Sequence, residues 1–534
     1  MGIFSKLIPG ANKKPAGSEQ RVRALLAGLD DSSPLRLLKD IEDRLTETAR
    51  IERDFGAEAA QSAFIQLDQA GNAARTAVLQ KYLSSLDQQS SGQTEWSALD
   101  SHAAELIAAH AAISSALLPL VQSEAERSRA ARDAVSMFRS WALRKKLQHF
   151  RYQVPAAALW QQANALLTQL IAYKLEQILV VPYPGESAVT PLREYLIGAY
   201  FDCLPEGKLL PQQQEAIDRF LRAGDRPCFT TQPETDSTHY IDLSGASGPV
   251  AMKDGEAAGL SFHFLSTIRP HEQLRKLADA LAGGQDAPKW LSTLALNPTL
   301  QETTLRTVAH HWSSRPPRRM AARRDDSVEL RAVIGFGNAY QMVLAAQEAR
   351  AASAAQSSLE LLRQIETTGR NPLALSLATD IKGINMETWQ RGDLSASGFS
   401  AIPPALLPRH SVGTLVATRS TDGVDWRLGL IRRIGRNAAK RPTIGIEIID
   451  DESVCAHANL IDAEQVWAEG VEAAGWSNVI FLKKNGHDVL LPPGSFASGK
   501  LVRVTQDNRS WQIRLESLLD RGPDYDRARF SNLA

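Results

Sequence analysis

Gly413-Thr-Leu-Val-Ala-Thr-Arg-Ser-Thr-Asp-Gly-Val-Asp-Trp-Arg-Leu-Gly-Leu-Ile-Arg-Arg433 sets the character of the second half of this chain. Two short apolar runs, Gly413 to Arg419 and Trp426 to Arg433, flank Asp422-Gly423. That dipeptide favours a tight turn because both positions tolerate left-handed backbone angles. The spacing predicts two strands joined by a turn. Working outward, Val328 to Phe336 and Thr443 to Ile449 repeat the pattern, and Val479 to Leu482, Val489 to Leu491, Lys500 to Val504 and Trp511 to Leu515 extend it. Many short strands with turn signals predict an antiparallel sheet closed into a barrel, since closure removes exposed edges. The polar, Ala/Gln-rich segment Ala345 to Ser358 predicts an inserted helix near 338–370, a surface excursion ended by Gly369 and Asn371-Pro372.

The first half has a different period. Ser33-Pro34 reads as an N-cap and first helical residue, followed by Leu35, Leu38, Ile41 and Leu45 on one helical face. Helical spacing continues from Phe64 to Leu83. After a break at Ser90 to Gln93 it resumes from Leu99 to Phe150, interrupted at Pro119. Beyond Pro155 a further helical stretch reaches Val180. The basic run Arg139 to Arg151, with Arg144, Lys145, Lys146 and His149, predicts a solvated helix face. His239 to Leu243 and Leu260 to Leu265 alternate as strands would, a small hairpin within 228–265. Glu272 to Leu281 and Leu300 to Trp312 return to helix.

Composition narrows the function classes. Sixty basic and sixty acidic residues give a formal net charge of zero, which argues against bulk attraction to nucleic acid or to a membrane surface. The three cysteines, Cys203, Cys228 and Cys455, have neither metal-like spacing nor the number for a disulfide framework, so a reducing, cytoplasmic setting is expected. Met1 to Gly10 is cut by Pro9 and lacks the features of a secretory signal; with the residues to 20 it reads as a flexible tail. Stable membrane insertion is not expected.

Two motifs carry chemistry. Between Ser314 and Arg324 stand Arg315, Arg318, Arg319, Arg323 and Arg324, bunched just before the strand at Val328. A guanidinium can grip phosphate as a fork, or meet guanine O6 and N7 with two parallel hydrogen bonds. Downstream lies Asp393-Leu-Ser395-Ala-Ser-Gly398. A carboxylate at Asp393 can accept from guanine N1 and N2, which a phosphate-only site would not require. Ser395 supplies a hydroxyl, and Gly398 permits a close backbone approach or a positive φ. Each half alone is a common surface pattern.

Arg319-x-x-x-Arg323 followed by Asp393-x-Ser395-x-x-Gly398, with Trp426 to Arg433 and Ile444-Gly445-Ile446-Glu447 behind them, resembles the signature of PilZ domains, small barrels that bind the bacterial messenger cyclic di-GMP. The resemblance covers about residues 313 to 450. It implies a ligand site of Arg319, Arg323, Asp393, Ser395 and Gly398, often holding two stacked dinucleotides. Arg315, Arg318 and Arg324 are additional candidates, and Arg315-x-x-x-Arg319 is a competing register. An earlier copy, Arg222-Ala-Gly-Asp-Arg226 with Asp242-Leu-Ser244-Gly-Ala-Ser247, puts Ser where Gly is needed and is set aside as coincidence.

No catalytic or metal constellation stands out; His310-His311 has no placed third ligand, and the phosphate-loop, metalloprotease and Gly-x-Ser-x-Gly signatures are absent from the sequence. The expectation is an α+β multidomain chain. A mainly helical domain over 21–312 precedes a PilZ-like antiparallel barrel with extra C-terminal strands over 313–534. It is expected to be a non-enzymatic cyclic di-GMP effector in second-messenger signalling, with an unidentified protein partner and no nucleic-acid partner. The rival reading is a non-binding PilZ-like scaffold for surface, pilus or secretion machinery.

Overall fold

The computed structural model describes residues 18–87, 92–224, 229–252, 261–314, 324–325, 327–355, 384–395, 397–421, 423, 425–437, 439–460, 476–484, 486–506 and 509–533. The flexible tail expected at the start lies mostly outside them. The chain forms two compact units, Met1–Pro317 and Arg318–Ala534.

The first unit is helical: α1 Ser18–Leu26, α2 Pro34–Phe55, α3 Ala57–Asp87, α4 Gln93–Leu117, α5 Glu124–Phe150, α6 Ala157–Ala172, α7 Pro191–Asp202 and α8 Pro211–Ala223. Four short strands follow, β1 Phe229–Thr230, β2 His239–Asp242, β3 Val250–Ala251 and β4 Phe262–Leu265, in the order β1-β4-β2-β3. Helices α9 Ile268–Ala282, α10 Lys289–Ser292 and α11 Pro298–Trp312 complete it. Pro119 ends α4 in a single 3-10 turn, and α5 restarts behind a capping box in which Ser123 and Glu126 bond each other's backbone N–H. Gln93–Leu120 is long and apolar enough to cross a membrane by length and composition. Its Leu99, Ala103, Leu106, Ile107 and Ile113 are buried in the helical core.

Two expectations for this unit fail. Helix α6 stops at Ala172 instead of reaching Val180, because Lys174 turns to φ 55° and the Leu175 N–H donates back to the Leu170 carbonyl, a left-handed helix exit. The basic run on α5 is not a solvated face. Lys145 is fully buried, its Nζ 2.9 Å from Asp202 and 3.7 Å from the Trp160 ring centroid. Lys146 Nζ donates to Glu215 at 2.8 Å and Asp218 at 2.6 Å. Ions taken out of water need such partners, and the partners come from α7 and α8. The set-aside motif copy is likewise structural. Arg222 pairs with Glu194 and Asp218, and Asp242 Oδ1 accepts from the Ser244 N–H and hydroxyl within its own turn. Arg226 lies outside the described residues.

The second unit begins with β5 Arg324–Asp325 and β6 Glu329–Ile334, then α12 Phe336–Ala355. Strands β7 Glu387–Ser395, β8 Gly398–Ile402, β9 Leu415–Ser420, β10 Arg427–Arg436 and β11 Pro442–Asp450 follow. Strands β6 to β11 close into a ring by antiparallel pairing in the order β6-β7-β8-β11-β10-β9, and β5 pairs farther along the edge of β7 that β6 occupies. The C-terminal strands are more than an extension. β12 Val454–Leu460, β13 Trp476–Leu482, β14 Asp488–Leu491, β15 Leu501–Gln506, β16 Arg509–Arg521 and β17 Asp526–Leu533 close a second barrel in the order β12-β13-β14-β17-β16-β15. Counted along the chain, both rings run first, second, third, sixth, fifth, fourth.

Helix α12 is not a surface excursion. Its Phe336, Ala339, Tyr340, Met342, Val343 and Ala346 are buried in one apolar cluster with Leu415, Ala417 and Leu428 of the first barrel and Cys455, Ile480 and Leu490 of the second. Burying each large aliphatic or aromatic side chain there contributes about 1.5–3 kcal/mol. Strand β9 is therefore covered on both faces, with Leu415 through Arg419 all buried. The β16–β17 hairpin latches the barrels. Asp524 accepts from the Phe336 N–H at 2.7 Å and the Leu415 N–H at 3.1 Å.

Candidate functional site

The Asp-x-Ser-x-x-Gly motif forms the hairpin between β7 and β8. Asp393 and Ser395 end β7, and Gly398 opens β8, directly opposite Ser395. Asp393 Oδ1 accepts from the Ser400 N–H at 2.9 Å, and the Ser395 hydroxyl donates to the Gly398 carbonyl at 2.8 Å. Both side chains thus brace their own hairpin. Gly398 also pairs with Glu447 of β11, and a Cβ there would run into the Ile446 carbonyl oxygen. Close strand approach requires this glycine, whose φ is not positive among the described residues.

Strand β5 brings the end of the arginine run to this hairpin. Arg324 pairs with Leu394, and Asp325 with Asp393. Arg315, Arg318, Arg319 and Arg323 lie outside the described residues. The unit boundary at Pro317–Arg318 falls inside the same run.

A groove of about 640 Å³ lies farther along these strands, lined by Ser327, Glu329, Gln390, Pro404 and Arg441 among others, but not by Asp393 or Ser395. Near its edge the barrel holds a saturated ion cluster. Glu387 takes Nε1–H of Trp389 at 2.7 Å, Nε–H of Arg409 at 2.7 Å and Nε2 of His410 at 3.0 Å. Burial alone would raise the Glu387 pKa, but His410, Trp389 and Arg409 together hold it down at about 2. Because His410 Nδ1 accepts from the Leu407 N–H at 2.9 Å, Nε2 carries the proton toward Glu387.

The sequence reading assigned no site role to Arg331, Arg419 and Trp426, which lie on the α12 side of this barrel. Arg331 and Arg419 are opposite one another on β6 and β9. Arg419 Cζ is 5.3 Å from the Trp426 ring centroid. A signal was present in arginines set within the apolar strands Glu329–Ile334 and Leu415–Ser420.

No protein-family model matches the chain, and a search of curated proteins finds no match.

Proposed function

We propose that this protein is a cyclic di-GMP receptor whose first barrel is PilZ-like and binds the dinucleotide through Arg319, Arg323, Asp393, Ser395 and Gly398. One observation carries the reading: β5 pairs with β7 so that the chain leaving the arginine run lies beside the Asp393 hairpin. Guanidinium groups and a guanine-accepting carboxylate are then supplied from adjoining segments. Asp393 accepts from the Ser400 N–H, and an ionised carboxylate can accept several hydrogen bonds at once. Arginine in place of lysine suits both the phosphates and the guanine edges. The run spans the boundary between the two units. Ligand capture there would favour one arrangement of helical unit and barrels over another, passing the signal to a protein partner.

Calorimetric titration of the full chain with cyclic di-GMP tests this. Binding is expected, and Arg319→Ala, Arg323→Ala or Asp393→Ala should each weaken it about tenfold to a hundredfold, as for loss of one charge-assisted hydrogen bond. Absence of heat with the wild-type chain would sink the receptor and leave the scaffold, with Asp393 and Ser395 serving only their hairpin. Unchanged small-angle scattering on saturation would remove the rearrangement alone.

A further inference from the structure

Three buried hydrogen-bond donors of the β9–β10 hairpin meet no acceptor among the described residues: Nε and Nη1 of Arg419 and Nε1 of Trp426. Arg419 is 4% exposed and Trp426 3%, so water does not serve these groups as it would at a surface. The guanidinium lies by the indole, a cation–π placement that stabilises the charge but uses none of the three N–H groups. Arg331 faces Arg419 across the β6–β9 ladder, and like charges directly opposite are unfavourable unless something bridges them. Arg331 also donates to the Thr388 hydroxyl at 2.6 Å. Asp425, in the same hairpin as Arg419, turns instead to Arg350 at 3.5 Å. Burial, and then the Arg331 charge, push the Arg419 pKa down, and no carboxylate among the described residues offsets them.

The same barrel shows how this donor set is normally satisfied. At Glu387, an indole N–H from Trp389 and a guanidinium Nε–H from Arg409 converge on the two oxygens of one carboxylate. Arg419 and Trp426 present an indole and a guanidinium again, with Arg331 opposite on β6 and no carboxylate accepting from them among the described residues. We infer that Arg419, Trp426 and Arg331 form an oxyanion site on the α12 side of the first barrel, built for a group with at least two charged oxygens, a phosphate more than a carboxylate. Two arginines at one ladder position of β6 and β9 give the preference, since together they match the charge of a phosphate dianion. The site uses none of the residues assigned to cyclic di-GMP, so the two readings stand or fall separately.

Thermal unfolding of the full chain decides it, titrating inorganic phosphate against chloride at equal ionic strength, with acetate as the carboxylate arm. A ligand that binds only the folded state raises the melting temperature with concentration. The wild-type chain should respond to phosphate more than to acetate. Trp426→Phe keeps the ring and removes one donor, and should weaken the phosphate response about tenfold or more. Arg419→Met should abolish the response and, without phosphate, melt at or above the wild-type temperature, since an unmet buried charge is gone. Arg319→Ala should respond like the wild type. No phosphate response in the wild type, or an equal one in Trp426→Phe and Arg419→Met, overturns the site and leaves the donors to water or to the chain's own carboxylates. A stronger response to acetate than to phosphate overturns the assigned anion. If Arg419→Met fails to fold, Trp426→Phe alone still decides between these outcomes.

Discussion

The two barrels have the same strand order yet treat charge differently. In the second, buried acids are met inside the barrel: Asp488 takes the Arg527 guanidinium at 2.6 Å, and Asp526 takes both Nε and Nη2 of Arg521 and the Phe496 N–H. Its β13–β14 turn, the counterpart of the Asp393 hairpin, reads Lys483-Lys-Asn-Gly-His487 and has no Asp-x-Ser-x-x-Gly. A carboxylate from outside the hairpin steadies it, since Asp450 accepts from the Lys483 and Lys484 N–H groups. Among its described residues the first barrel has a saturated cluster at Glu387 and, at Arg419 and Trp426, buried donors with no acceptor. One topology therefore supports a barrel closed on itself and a barrel with donors to spare. Ligand chemistry is expected only in the latter.

The largest test of that contrast is Asp526→Ala. It strands Arg521 and the Phe496 N–H, and should cost about 3–5 kcal/mol in urea unfolding of the full chain. A loss below about 1 kcal/mol would show that the second barrel does not depend on its internal ion pairs. Next comes Asp524, where the barrels join. Burial pushes its pKa from the ordinary aspartate range up to about 6, against the pull of the Leu415 and Phe336 N–H groups. A raised folded pKa means that the folded state holds the proton more tightly. The stability this confers is complete at low pH and is lost as pH rises through about 6. Between pH 4 and 7 the wild type should therefore lose about 2 kcal/mol from this group, and Asp524→Asn should flatten that slope in unfolding measured across the range. The smallest effects lie in the two matching turns. Gly398→Ala meets the Ile446 carbonyl and should cost about 1–3 kcal/mol. Gly486→Ala enters open space at φ 67° and should cost about 1 kcal/mol for the backbone angle alone. Equal costs would mean that strand crowding is not what holds Gly398.

The sequence made the strands easiest to read where one run was apolar throughout. Leu415 to Ala417 is covered on both faces, so its hydrophobic run survives translation into structure. β7 was seen only as a motif, because Glu387, Gln390, Arg391 and Asp393 interrupt the apolar pattern around Trp389. Helix α12 was misjudged because its Ala/Gln-rich second half masked the buried stripe from Phe336 to Ala346. Lys145 and Lys146 read as solvated because the acids that hold them, Asp202, Glu215 and Asp218, are remote in sequence. The motif at Asp393 was legible as residue types. Its hydrogen bonds to Ser400 and Gly398 were not, since they depend on β7–β8 register. The Arg419 cluster left only a partial trace, arginines set within apolar strands, because an acceptor that is absent leaves no mark of its own in the sequence.

Tyr340 and Gln347 of α12 have a consequence for how the protein is divided. The Tyr340 hydroxyl donates to the Ala456 carbonyl, and Gln347 Oε1 accepts from the Cys455 N–H, so the helix inserted in one barrel helps hold the first strand of the other. A chain cut after Asp450 would therefore expose the α12 stripe and forfeit the first barrel along with the second. Hydrogen exchange should report this as inheritance: if phosphate or cyclic di-GMP binds the first barrel, its addition should slow exchange of the β12 amides.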